Sequence, residues 1–509
     1  MSDFVRPGNV SFNSYVRFLT PALILALWLG LPVSAQKSPI VDGRIDDWRG
    51  IPLSWKSPSG TGPVRALSVA ANPERLFIRF ALDRPGNLMG WPGKLILAAD
   101  ADGNPTTGGP YEGLEGADIV LVFSEGVAVT TIEKGKSVAQ MNAVHDFDMA
   151  LAPTYGSRDI ELTLRRQPDA GARVGLFGST MIHWRLIVKN ASKATIQDAS
   201  FSSGLVRQAA LPDPFRMTDP LARPKNTDLR VVVWNVYRLF DENRILRVLK
   251  ALNPDVVILD EVLETKEPKY FEAILKDAVA QADWHILKSD TGGYERIVIA
   301  SRYPLEPAFV QVQHETDAVN RLGPGMPKPA RKPLEAGVTS AGAYIKIGNK
   351  TLLASGLDLV CCENRPDSFR EQLRMAEASA IAEKIRAALK ARPVDAAVVG
   401  GDLNLVSTRQ PLEVLSVGMD PAGGNLEEDG GLRLRQPSNA TTHADRSPSP
   451  YVQERLDYLL FSPSSLRKLR SFLFHSEEIG ERWRNHYGIR RDDSNGSDHI
   501  PIVADFAWK

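Results

Sequence analysis

Two patterns of apolar and polar residues divide the chain near residue 206. In the first part, apolar runs of five to seven residues alternate with clusters of Gly, Asp, Asn and Pro: Leu67–Ala71, Leu76–Leu82, Lys94–Ala99, Ile119–Phe123 and Val127–Ile132. Short runs at such regular spacing, with no long amphipathic helix between them, are typical of β-sandwich strands. We therefore predict an all-β sandwich over residues 38–205.

The second part alternates strand and helix patterns. Residues 206–228 are rich in Pro and polar residues and predict a linker. The apolar runs then predict strands at Leu229–Val236, Pro254–Leu259, Arg296–Ala300, Ala341–Ile347, Thr351–Leu359, Ala396–Leu405, Arg455–Ser462 and Ile500–Phe506. Helical spacing appears at Arg244–Leu252, Tyr270–Ala280 and Phe369–Ala391. Because strands outnumber helices and hairpins mix with crossovers, we predict a layered α/β domain with mixed sheets over residues 229–509.

The N-terminus has the pattern of an export signal. Arg6 and Arg17 precede the apolar run Phe18–Val33, and Val33-Ser34-Ala35 has the small-x-small pattern of a cleavage site. We predict a signal peptide over residues 1–35 and a secreted or periplasmic protein; the alternative is an uncleaved anchor, for which the run is short. No apolar run of that length follows, so no integral membrane domain is expected after signal removal.

Composition excludes few functions. The chain is 43% hydrophobic and 24% charged, with a formal net charge of zero. That balance disfavours a global electrostatic hold on nucleic acid, although a local basic groove remains open. The two cysteines, Cys361 and Cys362, are adjacent. Because a bond between neighbours requires strained geometry, we expect two free thiols.

Polar residues at the ends of the predicted strands carry the candidate chemistry. Asp402 and Asn404 follow the apolar run and Gly400-Gly401, two residues apart, so both point the same way along a strand. A carboxylate and an amide placed together can orient a water and hold a charged oxygen; the alternative is an ordinary polar turn. Other strand ends supply Asn235, Glu261, Asp457, Asp498 and His499.

Such strand ends gather at one edge of a sheet, where α/β proteins build their sites. Hard oxygen ligands with one His and no Cys/His cluster suit Mg²⁺ or Mn²⁺ rather than structural zinc. This chemistry is that of metal-assisted phosphoester hydrolysis.

Six segments resemble, in order, the motifs of the endonuclease/exonuclease/phosphatase superfamily, which has the deoxyribonuclease-I-like fold. They are VVVWNV, DVVILDEV, ERIVIASRYPL, VVGGDLN, ERLDYLLFS and GSDHIPIVADF, all within residues 229–509. The resemblance implies a four-layer α/β sandwich in which two mixed sheets are flanked by helices.

The resemblance also implies a role for each matching residue. Glu261 would bind the metal with Asn235 beside it, and Asp498 would be the second metal-side carboxylate. Asp402 would orient or deprotonate the attacking water, and Asn404 would hold the phosphate or its developing charge. In the remaining pair, His499 would contact the phosphate and Asp457 would orient that His.

One position departs from the family. Asp358 stands where many members carry a His before the long helix. An ionised Asp cannot donate a proton, so we expect it to accept a substrate hydroxyl, to bind a second metal, or to be a surface turn residue. Loop 311–335 is expected to form one wall of the substrate site.

The N-terminal region resembles family 9 carbohydrate-binding modules. The segments IVDGRIDDWRGIPL, LAADADGNPTTGG and GADIVLVF carry this resemblance. It implies a β-sandwich that binds sugar, with Trp48, Trp55 and Trp91 as candidate platforms or core residues. Oxygens spaced two residues apart suit calcium, so Asp100, Asp102, Asn104 and Asp118 predict a structural Ca²⁺ site; the alternative is a solvated turn.

Together these features predict an exported, divalent-metal-dependent hydrolase of phosphoesters, in the first place phosphodiesters. The substrate would be nucleic acid, a lipid head group or a small phosphodiester. Two alternatives remain: a secreted nuclease acting on DNA or RNA, and a glycan-binding protein with an inactive hydrolase-like domain.

Overall fold

The computed structural model describes residues 38–141, 143–167, 177–207, 218–279, 282–315, 322, 334–435, 439–443 and 450–509. The predicted signal peptide, part of the predicted linker and most of loop 311–335 therefore lie outside the described residues. Residues Ser38–Lys509 form one compact unit. Among the helices described, none has the length and apolar character needed to cross a membrane.

The first part of the chain, here called the sandwich (residues 38–207), contains two packed sheets and a small two-stranded sheet. Its strands are β1 (Trp55–Lys56), β2 (Val64–Ala71), β3 (Arg75–Gly86), β4 (Gly90–Asp100), β5 (Gly109–Tyr111), β6 (Leu114–Ala117), β7 (Ile119–Glu133), β8 (Lys136–Met141), β9 (Ala150–Ala152), β10 (Ser157–Arg165), β11 (Met181–Lys189), β12 (Thr195–Gly204) and β13 (Val206–Arg207). The two large sheets have the orders β1-β2-β3-β10-β9 and β12-β11-β4-β7-β8, with antiparallel pairing except that β13 runs parallel to β2, and β5 pairs with β6. Phe80, Phe123 and Trp184 meet in the core between the sheets. The predicted all-β architecture is confirmed.

The prediction of two strands at Ile119–Phe123 and Val127–Ile132 is wrong, because strand β7 is continuous. Its first half pairs with β4, where Glu125 still opposes Gly90, and its second half pairs with β8. Glu125, one of the residues that suggested a turn, therefore occupies a paired strand position.

The second part, here called the C-terminal domain (residues 229–509), has two further sheets. The strands are β14 (Leu229–Asn235), β15 (Val256–Leu263), β16 (His285–Lys288), β17 (Glu295–Ser301), β18 (Leu305–Phe309), β19 (Thr339–Ile347), β20 (Lys350–Asp358), β21 (Ala396–Asp402), β22 (Glu427–Glu428), β23 (Leu432–Arg433), β24 (Asp457–Phe461), β25 (Leu466–Leu473) and β26 (Ile502–Trp508). The sheet orders are β16-β17-β15-β14-β26-β25-β23 and β18-β19-β20-β21-β24-β22. The α-helices are α1 (Glu242–Leu252), α2 (Pro268–Ala278), α3 (Phe369–Ala391), α4 (Gln410–Ser416) and α5 (Glu481–Tyr487). Single 3-10 turns lie at Asp46–Trp48, Tyr237–Leu239, Ser476–Glu478 and Asp493–Gly496.

The four layers follow from where the apolar side chains point. Alternate residues of the central strands, such as Val233, Ile258 and Val398, pack between the two sheets. The opposite face of the first sheet packs against α1 and α2, and that of the second sheet against α3 and α4. Both sheets mix parallel and antiparallel neighbours, so the predicted four-layer α/β sandwich is confirmed.

A buried polar network joins the sandwich to the C-terminal domain. Arg75 donates to Asp148 over 2.7 Å, and Gln453 of the C-terminal domain donates to the other carboxylate oxygen of Asp148. Arg433 then donates to Gln453 over 2.6 Å and to Glu478 over 2.8 Å. The ion pairs Arg75–Asp148 and Arg433–Glu478 each lie within one part, and the buried hydrogen bond from Gln453 to Asp148 joins them. Separating the two parts would break that bond and leave buried polar groups without it, which is unfavourable.

Candidate active site

Neighbouring strands bring the predicted site residues to one edge of the domain. In the parallel pair β20–β21, Asp358 lies opposite Asp402, and in the antiparallel pair β21–β24, Asp402 lies opposite Asp457. In the other sheet, Asn235 at the end of β14 lies opposite Asp260 of β15. The two packed sheets thus end in one cluster of polar side chains, as their order in the sequence predicts.

The glycine before Asp402 is required by close strand packing. Gly401 has φ +144°, and a Cβ built on it would lie 1.8 Å from the carbonyl oxygen of Leu357. Only glycine accommodates that approach. The apolar run can therefore continue to the sheet edge with Asp402 directly after it.

Asp402 is at the centre of the cluster. One carboxylate oxygen accepts the Asn404 backbone N–H at 2.9 Å, and the other lies 3.3 Å from the Asn235 amide nitrogen and 3.8 Å from His499 Nε2. Burial, followed by the charge of Asp457, raises the pKa of Asp402 to about 7, against the opposing effect of His499. A carboxylate that titrates near neutrality is suited to general-base catalysis.

His499 is held by Asp457. The Nδ1 atom of His499 lies 2.7 Å from a carboxylate oxygen of Asp457, and both residues are buried. Burial alone would lower the pKa of His499, but the ion pair with Asp457 and the charges of Asp402 and Asp498 raise it well above its usual value. The imidazole is therefore oriented and kept cationic, as binding to a phosphate requires.

Asn235 orients two carboxylates. Its amide nitrogen donates to Glu261 over 2.9 Å as well as to Asp402, and its oxygen accepts the Tyr237 backbone N–H at 3.1 Å. Glu261 has φ +51° and follows an irregularity in the pairing of β15 with β17. A bulge of this kind re-aims a side chain, and left-handed backbone in a non-glycine residue is typical of functional sites.

Asn404, Asp358 and Asp498 complete the predicted set. Asn404 also has a left-handed backbone, at φ +46°, and its amide nitrogen donates to the Leu359 carbonyl over 2.8 Å. Asp358 is the last residue of β20 and is not a surface turn residue; burial and the charge of Asp402 raise its pKa well above the usual value. Asp498 is half-buried, and its carboxylate lies within 4.8 Å of ring nitrogens of His443 and His499.

The donor set fits a divalent cation. Carboxylates of Glu261, Asp402 and Asp498 line one cleft, and Asp358 is close enough to Asp402 and Glu261 to feel their charges. The repulsion between these carboxylates is part of what raises the pKa values of Glu261, Asp358 and Asp402. A buried oxygen of Asp260, Oδ1, accepts no hydrogen bond within the described part of the chain. Oxygen-rich, negatively charged sites of this type suit Mg²⁺ or Mn²⁺.

Three residues at the site were missed in the sequence. Asp260 precedes Glu261, is fully buried and accepts the Asp402 backbone N–H at 3.1 Å. His443 and Glu454 pair through their backbones and line the same cleft. Burial and the charge of Asp402 raise the pKa of Glu454 to about 8, so it is protonated at neutral pH. Glu454 is the first residue of the ERLDYLLFS motif, and that was the available signal; His443 lies eleven residues farther upstream.

The site opens into a cleft of about 1710 Å³ that both parts of the chain line. Asp402, Asn404, His499 and Glu261 lie on the C-terminal side. Residues 83–93 and 124–125 of the sandwich form part of the opposite wall, together with Cys361–Asp367 of the C-terminal domain. The sandwich is therefore part of the site rather than a separate appendage.

The expectation of two free thiols is wrong. Cys361 and Cys362 form a disulfide with each other, in the loop that follows β20 at the cleft rim. The loop supports the required turn, since Cys362 has φ +70°, and its carbonyl accepts a hydrogen bond from Arg374 at 2.8 Å. Arg370 donates to the Cys361 carbonyl over 3.1 Å.

The predicted calcium loop brings three carboxylates together. Oxygens of Asp100, Asp102 and Asp118 lie within 4.8 Å of one another. The Asn104 side-chain oxygen instead accepts hydrogen bonds from Thr106, at 3.1 Å from the backbone nitrogen and 2.7 Å from the hydroxyl. Burial, then the charge of Asp102, raises the pKa of Asp118 to about 6, against its hydrogen bond from Ala101.

The three tryptophans of the sandwich have different surroundings. Trp48 is buried and donates to Glu161 over 2.6 Å, and Trp55 packs against Phe201. Trp91 is half-buried and lines the cleft.

Comparison with known proteins identifies the C-terminal domain. Residues 232–499, more than half of the chain, match the profile of the Endonuclease/Exonuclease/phosphatase family. A search of curated protein sequences finds no match.

Solved structures with a similar domain include truncated TDP2 from Caenorhabditis elegans, with 17% identity and a TM-score of 0.37 over 55% of this chain and 97% of that one. The human Nocturnin catalytic domain has 13% identity and a TM-score of 0.36 over 57% of this chain and 96% of that one. ANGEL2, described as a 2',3'-cyclic phosphatase, has 14% identity and a TM-score of 0.37 over 56% and 96%. At these values the likenesses carry no information about substrate.

Proposed function

Because the chain belongs to the endonuclease/exonuclease/phosphatase family, we propose that it is an exported, divalent-metal-dependent phosphodiester hydrolase. The observation that carries this proposal is the group formed by Asp402, Asp457 and His499, in which a base that titrates near neutrality lies beside a cationic imidazole. Such a pair matches the two needs of phosphoester hydrolysis, a proton acceptor for water and a positive group for the phosphate.

In the proposed reaction Asp402 accepts a proton from a water as the water oxygen bonds to phosphorus. The bond from phosphorus to the leaving oxygen breaks, and that oxygen takes a proton from water in the cleft. His499, kept charged by Asp457, donates a hydrogen bond to a phosphate oxygen and stabilises the charge that grows there. Asn404 fixes the backbone that holds Asp402 in place.

Glu261 and Asp498 would hold the divalent ion, with Asp358 as a further carboxylate at the same edge. When bound, that ion supplies Lewis-acid polarisation of the phosphate. The residues of the chain itself then position the water, exclude bulk solvent and bind the phosphate.

Export and calcium binding belong to the same proposal. The pattern of residues 1–35 supports a cleaved signal and a secreted or periplasmic location. The carboxylates of Asp100, Asp102 and Asp118 support a structural Ca²⁺ in the sandwich. A sugar platform on the sandwich is best supported at Trp91, since Trp48 is in the core.

Removal of divalent metal tests the proposal. We expect the purified chain to hydrolyse bis(p-nitrophenyl) phosphate with Mg²⁺ or Mn²⁺, and a chelator to lower the rate at least about 100-fold, because the ion contributes several kcal/mol of charge stabilisation. Re-adding the ion should restore the rate, and Glu261→Gln should require more metal for half-maximal rate. An undiminished rate after chelation would contradict metal dependence, and no turnover of any phosphoester would contradict the function.

A further inference from the structure

We infer that the sandwich supplies the specificity wall for the leaving group, and that the substrate is a small phosphoester with an uncharged, partly apolar leaving group rather than a nucleic acid. This inference rests on the proposed hydrolase function. Three independent features of the described residues support it: the backbone contacts that seat the sandwich, the composition of its wall and the charge of the cleft.

The sandwich is attached directly beside the catalytic residues. Gly156 N–H donates to the Ser407 carbonyl over 2.8 Å, and the Thr154 hydroxyl donates to the Leu405 carbonyl over 2.6 Å. Asn87 donates to the Val406 carbonyl over 2.8 Å. Residues 405–407 directly follow Asn404, so the chain segment that carries Asp402 and Asn404 is held in place by the sandwich.

A second attachment precedes Asp457. Val127 N–H donates to the Pro450 carbonyl over 2.7 Å, and the Gln453 backbone exchanges hydrogen bonds with Met149 and Leu151 at 3.1 Å and 3.2 Å. Residues 450–453 lead into Glu454 and Asp457. Both catalytic segments are therefore held in place by hydrogen bonds to the sandwich.

The wall itself has an apolar, aromatic part. Trp91 lines the cleft beside Gly86. The two residues are close: a Cβ built on Gly86 would lie 3.7 Å from the Trp91 ring. Gly90 lies so close to the loop of the C-terminal domain that an added Cβ would lie 2.3 Å from the Asn364 side chain. At this point the sandwich and the Cys361–Asp367 loop are in contact and form one continuous side of the cleft. An aromatic face in the wall of a cleft suits an apolar ring or chain on the substrate.

The described lining of the cleft is short of cations. Its guanidinium groups are those of Arg84, Arg365 and Arg409. Arg365 pairs with Asp367 at 3.1 Å and Arg409 with Glu428 at 3.7 Å. The rim also carries carboxylates, Asp83, Glu125 and Glu363. Nucleic-acid clefts neutralise several successive phosphates with Lys and Arg, so this cleft favours a ligand with a single phosphate.

Paired variants on strand β7 test the inference in the full-length protein. Glu125 and Glu133 are both exposed, but only Glu125 lines the cleft. With bis(p-nitrophenyl) phosphate as the anionic probe, Glu125→Lys should lower KM about 2- to 5-fold at low ionic strength, whereas Glu133→Lys should leave KM unchanged. Trp91→Ala should raise KM about 3- to 10-fold with kcat within about twofold, and Trp91→Phe should recover most of the loss.

The outcomes separate the two proposals. Wild type should cleave a double-stranded DNA oligonucleotide at least about 100-fold more slowly than the small diester, because the part of the cleft lining that the structure describes forms no basic groove. Turnover of DNA at a comparable rate would contradict the inference that the substrate is a small phosphoester. Identical effects of Glu125→Lys and Glu133→Lys would contradict the inference that the sandwich forms a wall of the substrate site. If wild type hydrolyses no phosphoester, the proposed function itself fails. Retained melting temperatures show that Glu125→Lys and Trp91→Phe fold.

Discussion

Asp402→Asn is expected to lower kcat for bis(p-nitrophenyl) phosphate by about 10²- to 10⁴-fold, the range of general-base catalysis. The amide has the same shape as the carboxylate and can still accept the Asn404 N–H, but it cannot take a proton from water. KM should change little, since His499 still binds the phosphate. Steady-state kinetics and a thermal melt of both proteins measure the effect.

A matched control is Asp283→Asn, because the Asp283 side chain is 86% exposed and lies in an ion pair with Lys276. That variant should retain the wild-type rate. If Asp402→Asn, correctly folded, retained it as well, Asp402 would not be the base. Below the Asp402 pKa of about 7 the wild-type rate should also fall, because the protonated carboxyl cannot take a proton from the attacking water.

Asp457→Asn is expected to lower kcat/KM by about 10²- to 10³-fold, comparable to the loss of one group that stabilises transition-state charge. Asp457 orients His499 through the 2.7 Å contact and, by its charge, raises the pKa of the imidazole. Without that charge the pKa of His499 falls, so the cation is lost at lower pH. The decline in rate on the alkaline side should therefore begin at lower pH than in wild type.

A pH–rate profile of wild type and Asp457→Asn measures this shift, with Asp46→Asn as the control because the Asp46 side chain is 79% exposed. A purely structural role for Asp457 would lower the rate at every pH without moving the alkaline limb. That result, together with a lower melting temperature, would show that Asp457 stabilises the fold and does not set the pKa of His499.

The strands and the residues at their ends could be predicted because the information is local. Apolar runs such as Ala396–Val399 end in glycines and then in Asp402, and the order of six such segments places their ends at one edge. Helix α3 was predicted with its observed limits, Phe369–Ala391, but the predicted division into an apolar and a charged stripe is wrong, since Glu371, Arg374 and Glu377 are buried with Leu373 and Ile381.

The docking of the sandwich could not be predicted, because many of the groups it uses in the C-terminal domain are backbone carbonyls, which have no side-chain signature. The carbonyls of residues 405–407 and 450 belong to segments that suggest ordinary turns. Asp148 and Gln453, which bridge the two parts, are residue types usually found on surfaces, and only tertiary contact makes them buried partners.

The remaining differences also depend on long-range context. Pairing of Cys361 with Cys362 depends on the turn held by Arg370 and Arg374 from helix α3. His443 joins the site through an isolated backbone bridge to Glu454, eleven residues along the chain, and nothing local in the sequence indicates that pairing.

The position of solvent oxygen after hydrolysis tests the central claim most directly. Wild-type protein with Mg²⁺ should be given bis(p-nitrophenyl) phosphate in water enriched in oxygen-18, and both products analysed by mass spectrometry. Attack of a water on phosphorus predicts the label in p-nitrophenyl phosphate and none in p-nitrophenol. Label in p-nitrophenol, or no metal-dependent product at all, would contradict the account.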